Sequence, residues 1–422
     1  LEDHLREQVA VLVDAGLATD EAFLVTVKRM GNLDALSREF AREHSERLWK
    51  QLVVVPSDSG ESRALARTDA VVAFGCAVVA AVLIKLPELF GLFLLQAPGF
   101  YARNLSLFVL PVLTAYFVWK RGLETGTVRW LGLAFVAALA FANIYPFTSG
   151  GSTERLTALH LPIALWLVVG IAYAGGRWTQ VAGRMDFVRF TGELFIYYVL
   201  IALGGGVFTG FMAMIFRAIG INAEPFFQSW LLPCGAAGAF VVASWLVEAK
   251  QSVIENMAPV LTRLFTPLFA ALLITFLATV VWTGRGVDIQ RNVLIGFDLL
   301  LVVVLGLLLY SISARDPQSP PSVFDVLQVV LLVSALLVDA VALWAIAARI
   351  SEFGFTPNRV AALGENVILL VNLAWSAALY LRFLRGQRQF SVLERWQTDY
   401  LPVYAVWAAL VAIAFPPLFG YA

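Results

Sequence analysis

The stretch "VFDVLQVVLLVSALLVDAVALWAIAA", residues 323–348, decides the fold. A helix needs about 20 apolar residues to cross a hydrocarbon core of roughly 30 Å, and this run exceeds that length with Asp339 enclosed in it. It is too long and too continuously apolar for a barrel strand. Backbone polar groups in lipid must find partners within their own segment, so the run is expected to be a transmembrane helix.

On either side of it, comparable runs lie near residues 70–94, 104–119, 128–147, 156–175, 190–216, 226–247, 262–283, 292–312, 359–381 and 400–419. The expected fold class is therefore all-α, a polytopic α-helical membrane protein with about 11 transmembrane helices over residues 70–422. Composition agrees: 60% of residues are apolar and 14% charged, against about 25% charged in ordinary soluble domains, and the mean hydropathy is +0.79. No secretory signal pattern opens the chain. Cys76 and Cys234 sit in separate apolar runs and are expected to be packing residues rather than a disulfide or thiolate metal site.

Ahead of the spans the pattern changes. Residues 1–69 carry 9 Lys/Arg against 13 Asp/Glu, whereas the rest carries 21 against 17. Leu5, Val9, Leu12 and Val13, then Phe23, Val27 and Met30, then Leu36, Phe40 and Leu48 recur at helical spacing, with breaks at Gly16 and Gly31. The expectation is a small three-helix domain over residues 1–52, followed by a linker over 53–69. With the N-terminus inside, the cytoplasmic loops collect thirteen Lys/Arg and the outer loops seven, so the head is expected in the cytoplasm and Ala422 outside, across a bacterial inner membrane. Arg382, Arg385, Arg388 and Arg395 read as a retention signal or a contact with anionic lipid.

Ionisable residues at membrane depth are expensive and face the bundle interior, which makes them candidates for function. Asp298, Asp339 and Glu365 all fall in the outer third of their spans, with Asn366 beside Glu365 and Asn372 seven residues further along the same helix face. Together they suggest an ion- or proton-binding site, or else a buried ion-pair network that fixes packing. Lys85, in "VLIKLPELFG" (residues 82–91), lies about 22 Å along the first span. It is either the counter-charge of those carboxylates or a snorkelling residue wetted with Glu88 in an interfacial segment. Glu193 near the inner interface is expected to be a solvated anchor.

"GGGVFTG", residues 204–210, has GxxxG spacing and is expected to support close helix packing, the alternative being a helix broken around a ligand. His160 is the sole histidine after the linker, so no multi-histidine metal site is expected, and no cofactor. Residues 248–265 read as an amphipathic interfacial helix able to receive the head. Phosphate loops, a GxSxG elbow and nucleotide fingerprints are absent from the sequence, and no nucleic-acid partner is expected. In "RISEFGFTPNR", residues 349–359, Arg349 and Glu352 can pair, Gly354 permits a turn, and Thr356 before Pro357 caps the next helix, with Asn358 and Arg359 completing the motif.

Two resemblances rest on particular residues. "DEAF", "VKRMGNLDALSREF" and the closing "LWK", within residues 18–50, resemble the bacterial permease-prefix domain. That resemblance implies a cytoplasmic regulatory or docking module in systems often paired with a PadR-type regulator, and no substrate. The 349–359 loop with the spans around it, over about residues 180–420, is similar to an uncharacterised family of bacterial polytopic membrane proteins. It implies architecture without mechanism.

Three functions remain. A permease-like transporter linked to protons or cations, regulated by its head, is the leading expectation. A membrane sensor that binds a lipid or envelope signal and reports through the head is the alternative, and would show a shallow outer pocket. An intramembrane enzyme would need Asp298 and Asp339 as an acid pair within about 5 Å of each other or around a shared water. The partners expected are membrane lipids and a cytoplasmic regulatory protein.

Overall fold

A computed structural model describes residues 12–13, 60–249, 257–283 and 291–422. Apart from residues 12–13 the expected head lies outside these residues, as do residues 53–59 of the expected linker; residues 60–69, expected as linker, are instead helical and continuous with the first span. The chain divides into units Leu1–Thr68 and Asp69–Ala422, and the helical bundle is the second of them.

Every element among the described residues is helical. The long helices are α1 (Gly60–Lys85), α2 (Pro98–Arg121), α3 (Thr125–Ile144), α4 (Ser152–Ala174), α5 (Val181–Ala218), α6 (Leu232–Ala249), α7 (Met257–Thr283), α8 (Arg291–Ala314), α9 (Val323–Phe353), α10 (Pro357–Leu384) and α11 (Ser391–Ile413). Ten of the helical segments are long and apolar enough to cross a membrane, so this is an integral, multi-pass helical membrane protein. The eleventh expected span is α11, which starts nine residues before the expected 400 and falls short of that apolarity because Glu394, Gln397 and Asp399 occupy its first half.

Local chemistry sets the boundaries. Pro98 opens α2 at a position where its missing N–H is no loss, and Gly122, with φ 61°, closes it. At Ser322 a capping box with Asp325 starts α9. The first span ends earlier than the expected 94: Pro87 interrupts the α-helical ladder, and a 3₁₀ turn over Leu86–Phe90 follows, closed by Gly91 at φ 80°. The expected interfacial helix over 248–265 is instead shared between the end of α6, residues outside the description and the first turns of α7.

Two apolar cores organise the bundle. In the N-terminal half, Phe117 of α2, Tyr173 of α4 and Phe187 and Phe190 of α5 are buried together, and the Tyr173 and Phe190 rings stack with centroids 4.4 Å apart. In the C-terminal half, Leu301, Leu308 and Ile312 of α8 meet Leu331, Ala335 and Val338 of α9, and Leu369 and Leu373 of α10. The halves join where α4 packs on α11, around Leu156, Val411 and Phe415. At the same seam the Thr157 hydroxyl of α4 donates to the Ala412 carbonyl of α11 at 3.3 Å.

α5 departs from the rest. Its 38 residues extend about 57 Å, close to twice the hydrocarbon thickness. Its buried residues stop at Leu194, and no residue of its most apolar stretch is buried. A Cβ added at Gly204, Gly205, Gly206 or Gly210 would meet nothing within 4 Å, so the expected close packing at "GGGVFTG" is not made among the described residues. By contrast, a Cβ at Gly364 of α10 would collide with the ring of Trp407 on α11.

That contrast is testable by thermal melting in detergent. Gly364→Ala should lower stability by about 1–3 kcal/mol because a packed indole must move. Gly204→Ala should leave it unchanged or raise it by roughly 0.5–1 kcal/mol, since alanine is the better helix former in open space.

Candidate functional site

The long apolar sequences of α8, α9 and α10 pack side by side, and this alone brings Asp298, Asp339 and Asn366 into one neighbourhood. Asn366 is fully buried; its Nδ2 donates to Asp298 Oδ1 at 2.9 Å and to the Ala362 carbonyl at 2.8 Å. Asp298 lies close enough to Asp339 and to Glu365 to act on each as a like charge. Asp298, bonded to Asn366, is therefore the common neighbour of Asp339 on α9 and Glu365 on α10.

Asp339 is the unusual member. It has 0% exposure, and neither carboxylate oxygen has a hydrogen-bond partner. Asn366 Oδ1, also buried, has none. The site thus holds three acceptor oxygens without donors, next to further negative charge. An ionised carboxylate left unpaired in such surroundings costs several kcal/mol, so this arrangement is stable when a proton or a cation accompanies it. The buried ion-pair network weighed from sequence is not what surrounds Asp339. Asp298 and Asp339 share no direct hydrogen bond. Among the described residues no group of three or more His, Cys, Asp or Glu is arranged to hold a metal ion.

Lys85 is engaged elsewhere. Its Nζ donates to Glu88 Oε1 and to the Ser229 carbonyl, each at 2.5 Å, and stands 4.3 Å from the Trp230 ring centroid. The Ser229 carbonyl belongs to a π-helical turn, Phe227–Leu231, just before α6. Such a turn displaces carbonyls from the i→i−4 ladder and leaves them open to a side-chain donor. Lys85 is therefore neither the counter-charge of the acid cluster nor merely wetted with Glu88; it ties α1 to the start of α6.

Asn372 belongs to a different contact. Its Nδ2 donates to Gln397 Oε1 at 3.2 Å, Gln397 Nε2 donates back at 3.4 Å, and the same Nε2 reaches Ser376 Oγ at 2.5 Å. Glu193, expected to be solvated, is 4% exposed. Arg349 and Glu352 lie in the last turns of α9, and Gly354, at φ 75°, begins the turn that leaves it. Arg359 closes this hairpin, donating to the Phe353 and Gly354 carbonyls at 3.1 and 2.8 Å. Thr356 Oγ1 accepts from the Arg359 backbone N–H at the start of α10, Pro357 holds the first helical position, and Asn358 donates to Ser152 Oγ at 3.1 Å. The 349–359 motif thus forms the hairpin that its turn chemistry suggests, and Asn358 additionally fastens it to α4.

Several polar residues of the bundle were not singled out from sequence. Arg315 makes a two-pronged pair with the buried Asp325, both contacts at 3.0 Å, and lies over the Phe383 and Phe390 rings. Gln328 and Gln397 are fully buried, and Tyr404 has a buried hydroxyl without a partner. A glutamine inside an apolar run was the available signal, but an uncharged polar residue does not show from sequence whether it faces lipid or protein.

Scans against protein-family models, curated proteins and solved structures each return no match to this chain.

The contrast between paired and unpaired buried acids predicts opposite outcomes. Asp339→Leu should keep or raise the melting temperature of the purified protein, because an unpartnered buried polar group is removed. Asp325→Asn should destabilise it by about 3–5 kcal/mol by stranding the Arg315 guanidinium.

Proposed function

We propose that this integral membrane protein is a permease-like carrier linked to proton movement, with Asp339, Asp298 and Glu365 as the groups that take up and release the proton. The observation that carries this is Asp339: wholly enclosed, with both oxygens unbonded, beside a second carboxyl held by Asn366. A side chain that must discard its charge to remain in place, and that has like-charged neighbours, couples helix packing to proton occupancy. A proton suits the site better than a metal ion, which would need convergent ligands. In this reading the N-terminal residues, through their resemblance to the permease-prefix domain, supply a cytoplasmic docking module, and the membrane is the bacterial inner membrane.

A specific observation favours the sensor as second reading. Arg217, Asn222, Glu224 and Gln228 line a cavity of about 210 Å³ between the end of α5 and the turns before α6. A signal molecule bound there would need no proton chemistry at Asp339.

The test is proton movement into vesicles containing the full-length protein and an entrapped pH dye, driven by an imposed pH gradient. Asp339→Asn and Glu365→Gln should slow the wild-type rate on the order of tenfold or more. If the variants match the wild type while Arg217→Gln abolishes a ligand-dependent response, the sensor replaces the carrier.

A further inference from the structure

Asp339 is enclosed, so a proton must reach it through the protein. The surface of α11 that faces α10 offers the way. Glu394, Gln397, Tyr400 and Tyr404 recur at helical spacing along one side of α11, and this polar side is turned inward: Gln397 is 0% and Tyr400 8% exposed. The antiparallel register with α10 is fixed at three places. Gln397 meets Asn372, the Tyr400 hydroxyl donates to the Ile368 carbonyl at 2.9 Å, and Trp407 packs on Gly364. Tyr404 lies between the last two, so it stands level with the turn of α10 that carries Glu365 and Asn366.

Along this seam the unsatisfied atoms are found at the acid end. On the seam Tyr404 Oη and Asn366 Oδ1 are buried without partners, and both Asp339 oxygens are likewise unpartnered on α9, which packs against α10 next to Asp298 and Asn366. Leaving such atoms dry costs about 1–3 kcal/mol each, and a buried polar site with several of them is where water is held. Toward the other end the Tyr400 and Tyr404 rings are 5.2 Å apart, and then comes the loose Asn372–Gln397 amide pair, its bonds 3.2 and 3.4 Å long. Three residues beyond Gln397 stands Glu394, half-buried, with Arg189 and Arg315 as its charged neighbours.

We propose that the α10–α11 seam is a water-bearing proton route that joins Glu394 to the Asp298–Asp339–Glu365 cluster, with Tyr404 as its relay and the Asn372–Gln397 pair as its gate. It rests on the carrier reading above. A proton arriving at Glu394 passes to water at the gate. The Tyr400 and Tyr404 hydroxyls each accept one proton and release another, and the last water protonates the Asp339 carboxylate. One positive charge moves, no bond other than O–H is broken, and no redox partner is needed. The amides of Asn372 and Gln397 relay nothing; they hold or exclude the connecting water.

The test uses the full-length protein in the dye-loaded vesicles, with Tyr404→Phe and Gln397→Leu alongside Asp339→Asn. Tyr404→Phe removes only an unbonded hydroxyl, so it should keep the wild-type melting temperature while slowing proton entry about tenfold. A role in packing alone would move neither quantity. Gln397→Leu, which plugs the gate with an apolar group, should slow entry at least as much. If Asp339→Asn slows entry while Tyr404→Phe and Gln397→Leu run at the wild-type rate, the seam is overturned and the carrier reading stands. If wild-type vesicles take up protons no faster than empty ones, or Asp339→Asn has no effect, both fall together.

Discussion

Inside an apolar bundle a charge must have a partner, and the helices of this protein are held by the places where that condition is met. Lys120 joins Asp69 of α1 at 2.9 Å and Glu248 of α6 at 3.4 Å, and Arg121 adds a second bond to the same Glu248 at 2.9 Å. Arg103 of α2 pairs with the buried Glu154 of α4 and also donates to the Ala142 carbonyl at 3.0 Å. Arg315 and Asp325 do the same between α8 and α9. All of these lie in the terminal turns of at least one helix, where short segments and polar loops can supply the remaining hydrogen bonds. They set register more than they add stability, because desolvation of such pairs offsets much of their attraction.

Asp339 breaks that condition in the middle of α9. Everything around it is consistent with the packing of an ordinary core, with Val338 and Ala342 fully buried beside it. The exception is local and specific, which is the pattern expected when strain or an unsatisfied group serves a purpose. Its neighbours sharpen the point. Asp298 is restrained by Asn366, so its charge stays near Asp339 instead of turning away.

The same condition explains α11. Its polar side would be unfavourable in lipid, and it is folded inward against α10 and α4 instead. A helix that looks too polar to span becomes the internal lining of the C-terminal half. α5 is the opposite case: beyond Leu194 it buries no residue, and apart from contacts such as Phe216 on Phe227, 6.2 Å between ring centroids, most of its apolar surface remains open.

Residue order alone establishes that the chain crosses a membrane as helices and roughly where each helix lies, and it marks Asp298, Asp339 and Glu365 as acids enclosed in apolar runs. Those conclusions follow from apolar length and from the need to satisfy backbone groups, both of which act within a single segment. The 349–359 hairpin and its Thr356 cap were legible for the same reason, since turn and cap chemistry is local, whereas the Asn358 contact with Ser152 of α4 was not. Which carboxyl is left unpartnered, that Lys85 turns to a π-helical carbonyl, and that Gln397 and Tyr404 face inward emerge only once the helices are packed together. Each of these depends on which side of a helix meets its neighbour. Within long runs of Leu, Val and Ala nearly every face is apolar, so the residue pattern does not encode that rotation, and side-chain packing between helices sets it.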